Sequence, residues 1–127
     1  MFLIKKMKSS TKNTTIKESD IQRSILKYLR LKSIFCWKNN TVGIAKPNGH
    51  YIPAQMTGIA DILGIMPDGR FLAIEVKRPG NKPTPNQVQF IQNIINNKGL
   101  AFLAYSLDDV KQIIKWLKNK WNKWKMW

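Results

Sequence analysis

This chain of 127 residues has few acidic residues, one cysteine and one histidine. Because Cys36 is the only cysteine, no internal disulfide is expected, and a reducing cytoplasm is the simplest compartment. His50 is the only histidine, which leaves too few side chains for a histidine-based triad or a Cys/His zinc centre. The opening apolar run "MFLI" is too short for a secretory signal, and no other run approaches a membrane span. These scarcities predict a cytoplasmic protein that does not enter membranes.

Positive charge dominates what is present. Lysine and arginine number 22 against seven aspartates and glutamates, giving a formal charge of +15. Such an imbalance attracts polyanions, with nucleic acid as the first expectation and an anionic membrane surface as the second. Hydrophobic residues make up 43% of the chain, enough to fill one core. We therefore expect a basic, frayed tail over residues 1–13 and one domain over residues 14–127.

The most informative segment is a predicted hairpin in "GIADILGIMPDGRFLAIEVKRPG". Alternating apolar runs over 60–66 and 71–77 flank "PDG", which favours a tight turn. Pairing Met66 with Arg70 across that turn places Asp61 opposite Glu75. Side chains alternate with period two, so Lys77 falls on the same face as these two carboxylates. The register thus predicts that two acids and an ammonium converge at one end of the hairpin.

The charged end of this hairpin has a simpler interpretation, a solvated salt bridge at an exposed strand end. However, the opposite face (Ile62, Leu72, Ile74, Val76) is also apolar, and charges between buried strands are costly unless they are used. Opposed carboxylates can bind one hard cation such as Mg²⁺ or Mn²⁺. Lys77 could then orient or deprotonate a water, or stabilise phosphate charge. On a basic protein this set supports phosphodiester hydrolysis.

The helix pattern adds one candidate residue before the hairpin and one after it. An apolar stripe predicts a first helix over about 15–31, where Thr15 and Glu18 have capping-box spacing. Glu18 also lies on the core-facing side, so both a cap and a place in the cleft are open to it. A second helix over about 85–97 starts with Thr84 as cap and Gln87 completing the box, and Gly99 marks its end.

The remaining pattern completes an α/β order. A strand is predicted over 34–38, a final strand begins at Leu100, and a last helix opens at Ser106 and runs to the C-terminus. Strand, helix and strand joined by short links predict a parallel pair, so the sheet is mixed and flanked by helices. Cys36 falls in an apolar run and is expected to be a buried, inert thiol.

These motifs resemble the VRR-NUC family of the PD-(D/E)XK nuclease superfamily. The similar segments are Gly58-Ile-Ala-Asp61, Ile74-Glu-Val-Lys77, Thr84 to Gln87, and Gly99, within a match over about residues 15–112. Ala60 stands where the superfamily often has proline. The resemblance implies a restriction-endonuclease-like αβββαβ core followed by a C-terminal helix.

The resemblance also implies roles for the candidate residues. Asp61 and Glu75 would be ligands of Mg²⁺ or Mn²⁺, Glu18 an outer or second-metal ligand, and Lys77 the catalytic base or stabiliser. Gln87 would orient Lys77, water or phosphate. The family further implies a homodimeric endonuclease that cuts branched DNA such as four-way junctions, with no small-molecule cofactor. A rival is a nucleic-acid-binding protein whose nuclease site is vestigial.

Two segments each have more than one interpretation. The C-terminal stretch alternates lysine with Trp116, Trp121, Trp124 and Trp127, and it could form core or a dimer seam, stack on bases, or lie on a membrane. The loop over 39–58, with a turn at "PNGH", could line a nucleic-acid groove through Lys38, Lys46, His50 and Tyr51, or could be an ordinary polar loop.

Overall fold

A computed structural model of the chain describes residues 16–40, 43–52 and 56–121. In these ranges the elements are one helix, five consecutive strands, a second helix, a sixth strand and a third helix. The helices are α1 (Glu18–Leu31), α2 (Pro85–Asn96) and α3 (Leu107–Trp121); the strands are β1 (Phe35–Lys38), β2 (Ile44–Ala45), β3 (Tyr51–Ile52), β4 (Ile62–Ile65), β5 (Phe71–Val76) and β6 (Leu100–Ala104).

Four strands form the central sheet in the order β1-β4-β5-β6. The first two pairings are antiparallel and the β5–β6 pairing is parallel, which confirms the predicted mixed sheet. In the hairpin, Leu63 pairs with Ala73 and Ile65 pairs with Phe71. The N–H of Met66 donates to the carbonyl of Arg70 at 2.8 Å, so the predicted register is confirmed.

The sheet separates two apolar layers. Helices α1 and α3 pack on the face that carries Ile62, Leu72, Ile74 and Val76, all of them fully buried. Helix α2 packs on the other face, chiefly over β5 and β6, where Ile91 meets Ala73 and Ala101. Because side chains alternate along β5, Glu75 lies on the α2 face while its neighbours Ile74 and Val76 face α1 and α3.

Two predicted helix boundaries need correction. Helix α1 begins at Glu18 with Lys17 at the N-cap and no side-chain cap bond, so the capping-box role of Glu18 is wrong; Thr15 lies outside the described residues. After α2 the left-handed position is Lys98, at φ 70°, and not Gly99. Gly99 is needed for space instead, since a Cβ there would press against the side chain of Ile94.

The other predicted segments lie as follows. Cys36 is buried, and burial raises the pKa of its thiol, which fits the predicted inert role. The "PNGH" turn joins β2 and β3, and its residues are exposed, which leaves both interpretations of that loop open. On α3, Val110 and Leu117 are buried whereas Trp116 is 49% exposed; residues 122–127 lie outside the described part. Within the described ranges, no helix is long and apolar enough to span a membrane.

Candidate functional site

Asp61 lies where the chain enters β4, and backbone contacts fix it on both sides. Its Oδ2 accepts the N–H of Val76 at 2.9 Å, and its carbonyl accepts the N–H of Asn39 at 2.8 Å. The preceding residue, Ala60, is fully buried. Asp61 therefore bridges β5 and the chain just after β1, and its carboxylate is held at the end of the hairpin.

Glu75 is the buried member of the site, with 2% of the residue exposed. Its Oε1 accepts a hydrogen bond from Gln87 Nε2 at 2.8 Å and lies 3.7 Å from Lys77 Nζ. Its Oε2 is buried without a hydrogen-bond donor among the described residues. The Glu75 carboxyl also lies within hydrogen-bond reach of the Asp61 carboxyl. The hairpin thus places two carboxyl groups together, as its register predicted.

Burial is the largest influence on the Glu75 carboxyl. Loss of hydration, reinforced by the negative charge of Asp61 and only partly offset by Lys77, raises its pKa from 4.5 to about 8. A shift this large for a carboxyl in a cluster is the kind of perturbation found at functional sites. At neutral pH without a cation, most Glu75 side chains are therefore protonated in the folded chain.

The orientation of Gln87 follows from the start of α2. The Thr84 side chain accepts the N–H of Gln87 at 3.3 Å, and Gln87 Oε1 accepts the N–H of Thr84 at 2.9 Å, which completes the predicted capping box. With the amide oxygen so occupied, the amide nitrogen must point toward Glu75. The described partner of this amide nitrogen is thus the carboxyl of Glu75, and the role that the family resemblance implies for Gln87, orienting Lys77, water or phosphate, stays a prediction.

A glycine sets how closely the site approaches α2. Gly58 has φ 76°, and a Cβ there would overlap the backbone carbonyl group of Asn86. Next to it, Thr57 Oγ1 accepts a hydrogen bond from Asn86 Nδ2 at 3.0 Å. The chain leading to Asp61 therefore rests directly on the first turn of α2, which brings Asp61 and Gln87 to the same end of the sheet.

Lys77 follows β5 and remains attached to the sheet. Its N–H donates to the carbonyl of Ala104 at 3.0 Å, which continues the parallel pairing with β6 by one residue. The side chain is 13% exposed, so the ammonium beside Glu75 is only partly hydrated. It can supply both positive charge and protons at the edge of the carboxyl pair.

Glu18 stands apart from these four residues. Its Oε2 accepts a hydrogen bond from Asn81 Nδ2 at 3.5 Å, in the loop between β5 and α2. In the described ranges no group of three or more acidic, histidine or cysteine side chains could hold a metal ion. The described residues therefore offer a cation the carboxyl pair of Asp61 and Glu75, and a ligand role for these two residues and for Glu18 stays a prediction.

The pair suits a hard divalent cation in donor type. Mg²⁺ and Mn²⁺ prefer carboxylate oxygens and keep several waters, so two protein ligands suffice for a cation that also binds substrate phosphate. Glu75 Oε2, buried and without a donor, is the acceptor that a cation would satisfy. The residues present thus fit an oxygen-ligated cation.

Four residues around the site could not be assigned to it from the sequence. Asn39 and Asn81 lie in loops with no periodic signal, and each reaches the site region through one hydrogen bond. Phe35 and Trp37 of β1 lie on the same sheet face as Asp61 and are exposed. Their alternation with buried Ile34 and Cys36 was the available signal, although it marks a face and not a function.

Comparisons with known proteins give one family. A family model described as the VRR-NUC domain matches residues 14–108. A solved structure described as a VRR_NUC domain is similar to the chain with a TM-score of 0.58 and 21% sequence identity. That similarity covers 77% of this chain and 94% of the other, and it supports the fold. A search of curated proteins found no match.

Proposed function

The chain belongs to the VRR-NUC family of nuclease domains, and on that premise we propose that it is a Mg²⁺- or Mn²⁺-dependent endonuclease of the PD-(D/E)XK type that acts on DNA. The observation that carries the proposal is the contact between the carboxyl groups of Asp61 and Glu75, with Lys77 and Gln87 on the same Glu75 oxygen. The charge of +15 supports a polyanionic substrate.

Asp61 and Glu75 would hold the cation, with Glu18 as an outer ligand. When bound, such a cation neutralises charge on the scissile phosphate and lowers the pKa of a coordinated water. Asp61 is held in place by the Val76 N–H, and Glu75 by the Gln87 amide, so both carboxyl groups are positioned before substrate arrives. In this scheme Gln87 is a positioning residue that acts through Glu75.

Lys77 is the candidate catalytic residue next to the cation ligands. From its position beside Glu75 Oε1 it could take a proton from the attacking water or stabilise charge on the phosphate. The first role needs a side chain that can accept a proton, and the second needs only a positive charge. Lys77→Arg preserves the charge but not the proton-accepting ability near neutral pH, so its residual activity separates them.

For substrate and assembly, we propose a homodimer that cuts branched DNA. Two sites in one particle could engage two strands of a junction. The face of α3 that carries the exposed Trp116, with Lys120 over its ring at 4.7 Å, is the candidate seam. Light scattering of the intact chain, compared with Trp116→Ala, tests this part.

Cleavage assays test the activity itself. Labelled four-way junction, flap, single-stranded and linear duplex DNA should be incubated with Mg²⁺ or Mn²⁺. We expect Asp61→Asn to abolish cleavage and Lys77→Ala to slow it by about 100-fold or more. Lys82→Ala, which removes an exposed loop lysine near the site, is the matched control and should change the rate little. No metal-dependent cleavage of any substrate would refute the proposal.

The rival, a binding protein with a vestigial site, gives a different pattern. Calorimetry with Mn²⁺ should detect one binding event that Glu75→Ala removes. A vestigial site that had lost its ligands would bind DNA without binding Mn²⁺. DNA binding without Mn²⁺ binding would therefore support the rival.

A further inference from the structure

An aromatic and aliphatic patch continues the sheet face on which the candidate site lies. Phe35, Trp37, Ile65 and Phe71 are large hydrophobic residues that remain 68%, 37%, 42% and 36% exposed in the described part of the chain. Contiguous apolar surface of this kind in a soluble domain marks a place where something binds. We refer to these four residues as the aromatic platform.

The sheet register shows that the platform is continuous with the site. Trp37 pairs with Leu63 and Phe35 pairs with Ile65 across β1 and β4, and Ile65 pairs with Phe71 across β4 and β5. Leu63 packs toward α2, so all of these side chains lie on the face that carries Asp61 and Glu75. Helix α2 covers chiefly β5 and β6, so among the described helices none is recorded over the β1 side of this face.

Distance along the strands then relates the platform to the carboxyl pair. Two residues of a strand advance about 7 Å, so Trp37 lies one such step from the row that contains Asp61, and Phe35 lies two steps away. This interval is comparable with the spacing of neighbouring nucleotides in an extended strand. The rings of Phe35 and Trp37 are 5.4 Å apart and tilted by 55°.

We propose that the aromatic platform binds unpaired nucleobases of the strand whose phosphate lies at Asp61 and Glu75. This inference rests on the proposed nuclease function and adds a substrate feature to it: unpaired nucleotides beside the cleaved bond. Bases stack on aromatic side chains regardless of sequence, while basic side chains hold the backbone. Charge favours this occupant, since the chain carries +15 and a nucleic-acid strand is a polyanion.

The test measures binding without cleavage. In EDTA, fluorescence anisotropy should report the affinity for a labelled oligothymidylate and for a fully paired duplex. Trp37→Leu keeps an apolar side chain but removes the aromatic stacking surface, and we expect it to weaken oligothymidylate binding by between about 5- and 150-fold. Trp37→Phe should retain most of the affinity, and duplex binding should change little because paired bases are already stacked.

Two controls make the result specific. Leu31→Ala alters an exposed apolar side chain at the end of α1, outside the platform, and should leave oligothymidylate affinity unchanged. Stacking adds no phosphate contact, so Trp37→Leu should leave the salt dependence of binding unchanged, whereas a lost phosphate contact would lower the slope by about 0.7. Circular dichroism of each variant confirms that it is folded, and Phe35→Leu against Phe35→Tyr repeats the comparison at a more exposed position.

The outcomes separate this inference from the nuclease proposal. Because the assay contains no metal, failed cleavage does not affect this inference. Equal affinities for Trp37→Leu and Trp37→Phe would overturn the inference. The inference would also be overturned if Trp37→Leu lowered the particle mass in light scattering and left the oligothymidylate affinity unchanged. The platform would then be an interface between copies of the chain.

Discussion

Replacing Glu75 by glutamine should make the metal-free protein more stable at neutral pH. The carboxyl of Glu75 is buried beside Asp61, and these two influences raise its pKa to about 8 in the folded chain. Glutamine has nearly the same shape and can still accept the hydrogen bond from Gln87 Nε2 at this position. The substitution therefore removes the buried ionisation while it keeps the packing.

The magnitude follows from linkage between protonation and folding. In the unfolded chain Glu75 titrates near its ordinary value of 4.5, whereas the folded chain retains the proton up to about pH 8. The folded state therefore binds more protons between these values, and stability falls as pH rises, by about 1.4 kcal/mol per pH unit. The loss should reach about 3 kcal/mol at pH 7 and level off at about 5 kcal/mol above pH 8.

Urea unfolding in EDTA measures this effect. The free energy of unfolding of the unaltered chain and of Glu75→Gln should be determined from about pH 4 to pH 9. The difference between the two curves isolates Glu75, because all other groups titrate in both proteins. Asp61→Asn is the companion variant. It removes one cause of the raised Glu75 pKa and leaves Glu75 buried, so the stability of this variant should fall over a narrower pH range.

A pH-independent difference between the unaltered chain and Glu75→Gln would refute this reasoning. Parallel curves would mean that Glu75 ionises in the folded protein at its ordinary pH, so that the carboxyl is hydrated. Added Mn²⁺ gives a second check, because a cation that needs the ionised carboxylate should stabilise the unaltered chain more at pH 8 than at pH 5 and should not stabilise Glu75→Gln.

Three further substitutions test the packing around the site by thermal or urea unfolding. Lys98→Gly should stabilise the chain by about 0.5–1 kcal/mol, since glycine adopts φ 70° without strain; no gain would contradict the left-handed backbone there. Gly58→Ala should cost about 2 kcal/mol of stability or more, because both the positive φ and the Asn86 carbonyl group oppose a Cβ there. Gly49 has a positive φ but open space around it, so Gly49→Ala should cost only the backbone strain of about 1 kcal/mol. Equal losses for the two glycines would refute the close approach. Thr84→Ala should cost about 1 kcal/mol of stability and weaken Mn²⁺ binding, because Gln87 loses its capping partner. Thr84→Ser should retain both the stability and the Mn²⁺ affinity. Unchanged Mn²⁺ affinity in Thr84→Ala would show that the helix cap does not influence the site.

Much of the sheet was predictable because its signals are local. Alternation over 60–77 and the "PDG" turn determine the hairpin register, since a slip of one residue in β5 would move Ile74 to the α2 face and Glu75 into the apolar layer under α1 and α3. The start of α2 was equally readable, because Thr84, Pro85 and Gln87 each satisfy a backbone requirement within one turn. These features depend on neighbouring residues, so they can be inferred without the rest of the fold.

Predictions failed where distant packing decided the outcome. The residue after α2 that takes the left-handed conformation is Lys98, because Gly99 is needed one position later against Ile94. Helix α1 begins at Glu18 without a side-chain cap, so its first turn does not follow the spacing of Thr15 and Glu18. Neither boundary could be read from local preference alone.

The sequence by itself determined that Asp61 and Glu75 face each other, because strand register is a property of alternation and turn length. It also determined that Gln87 lies in the first turn of a helix. Only the tertiary structure decided that the Gln87 amide meets Glu75, that Glu18 lies with Asn81, and that Phe35 and Trp37 remain exposed beside the site. Those contacts join elements far apart in the chain, and burial of the whole sheet, not local pattern, fixes which side chains meet.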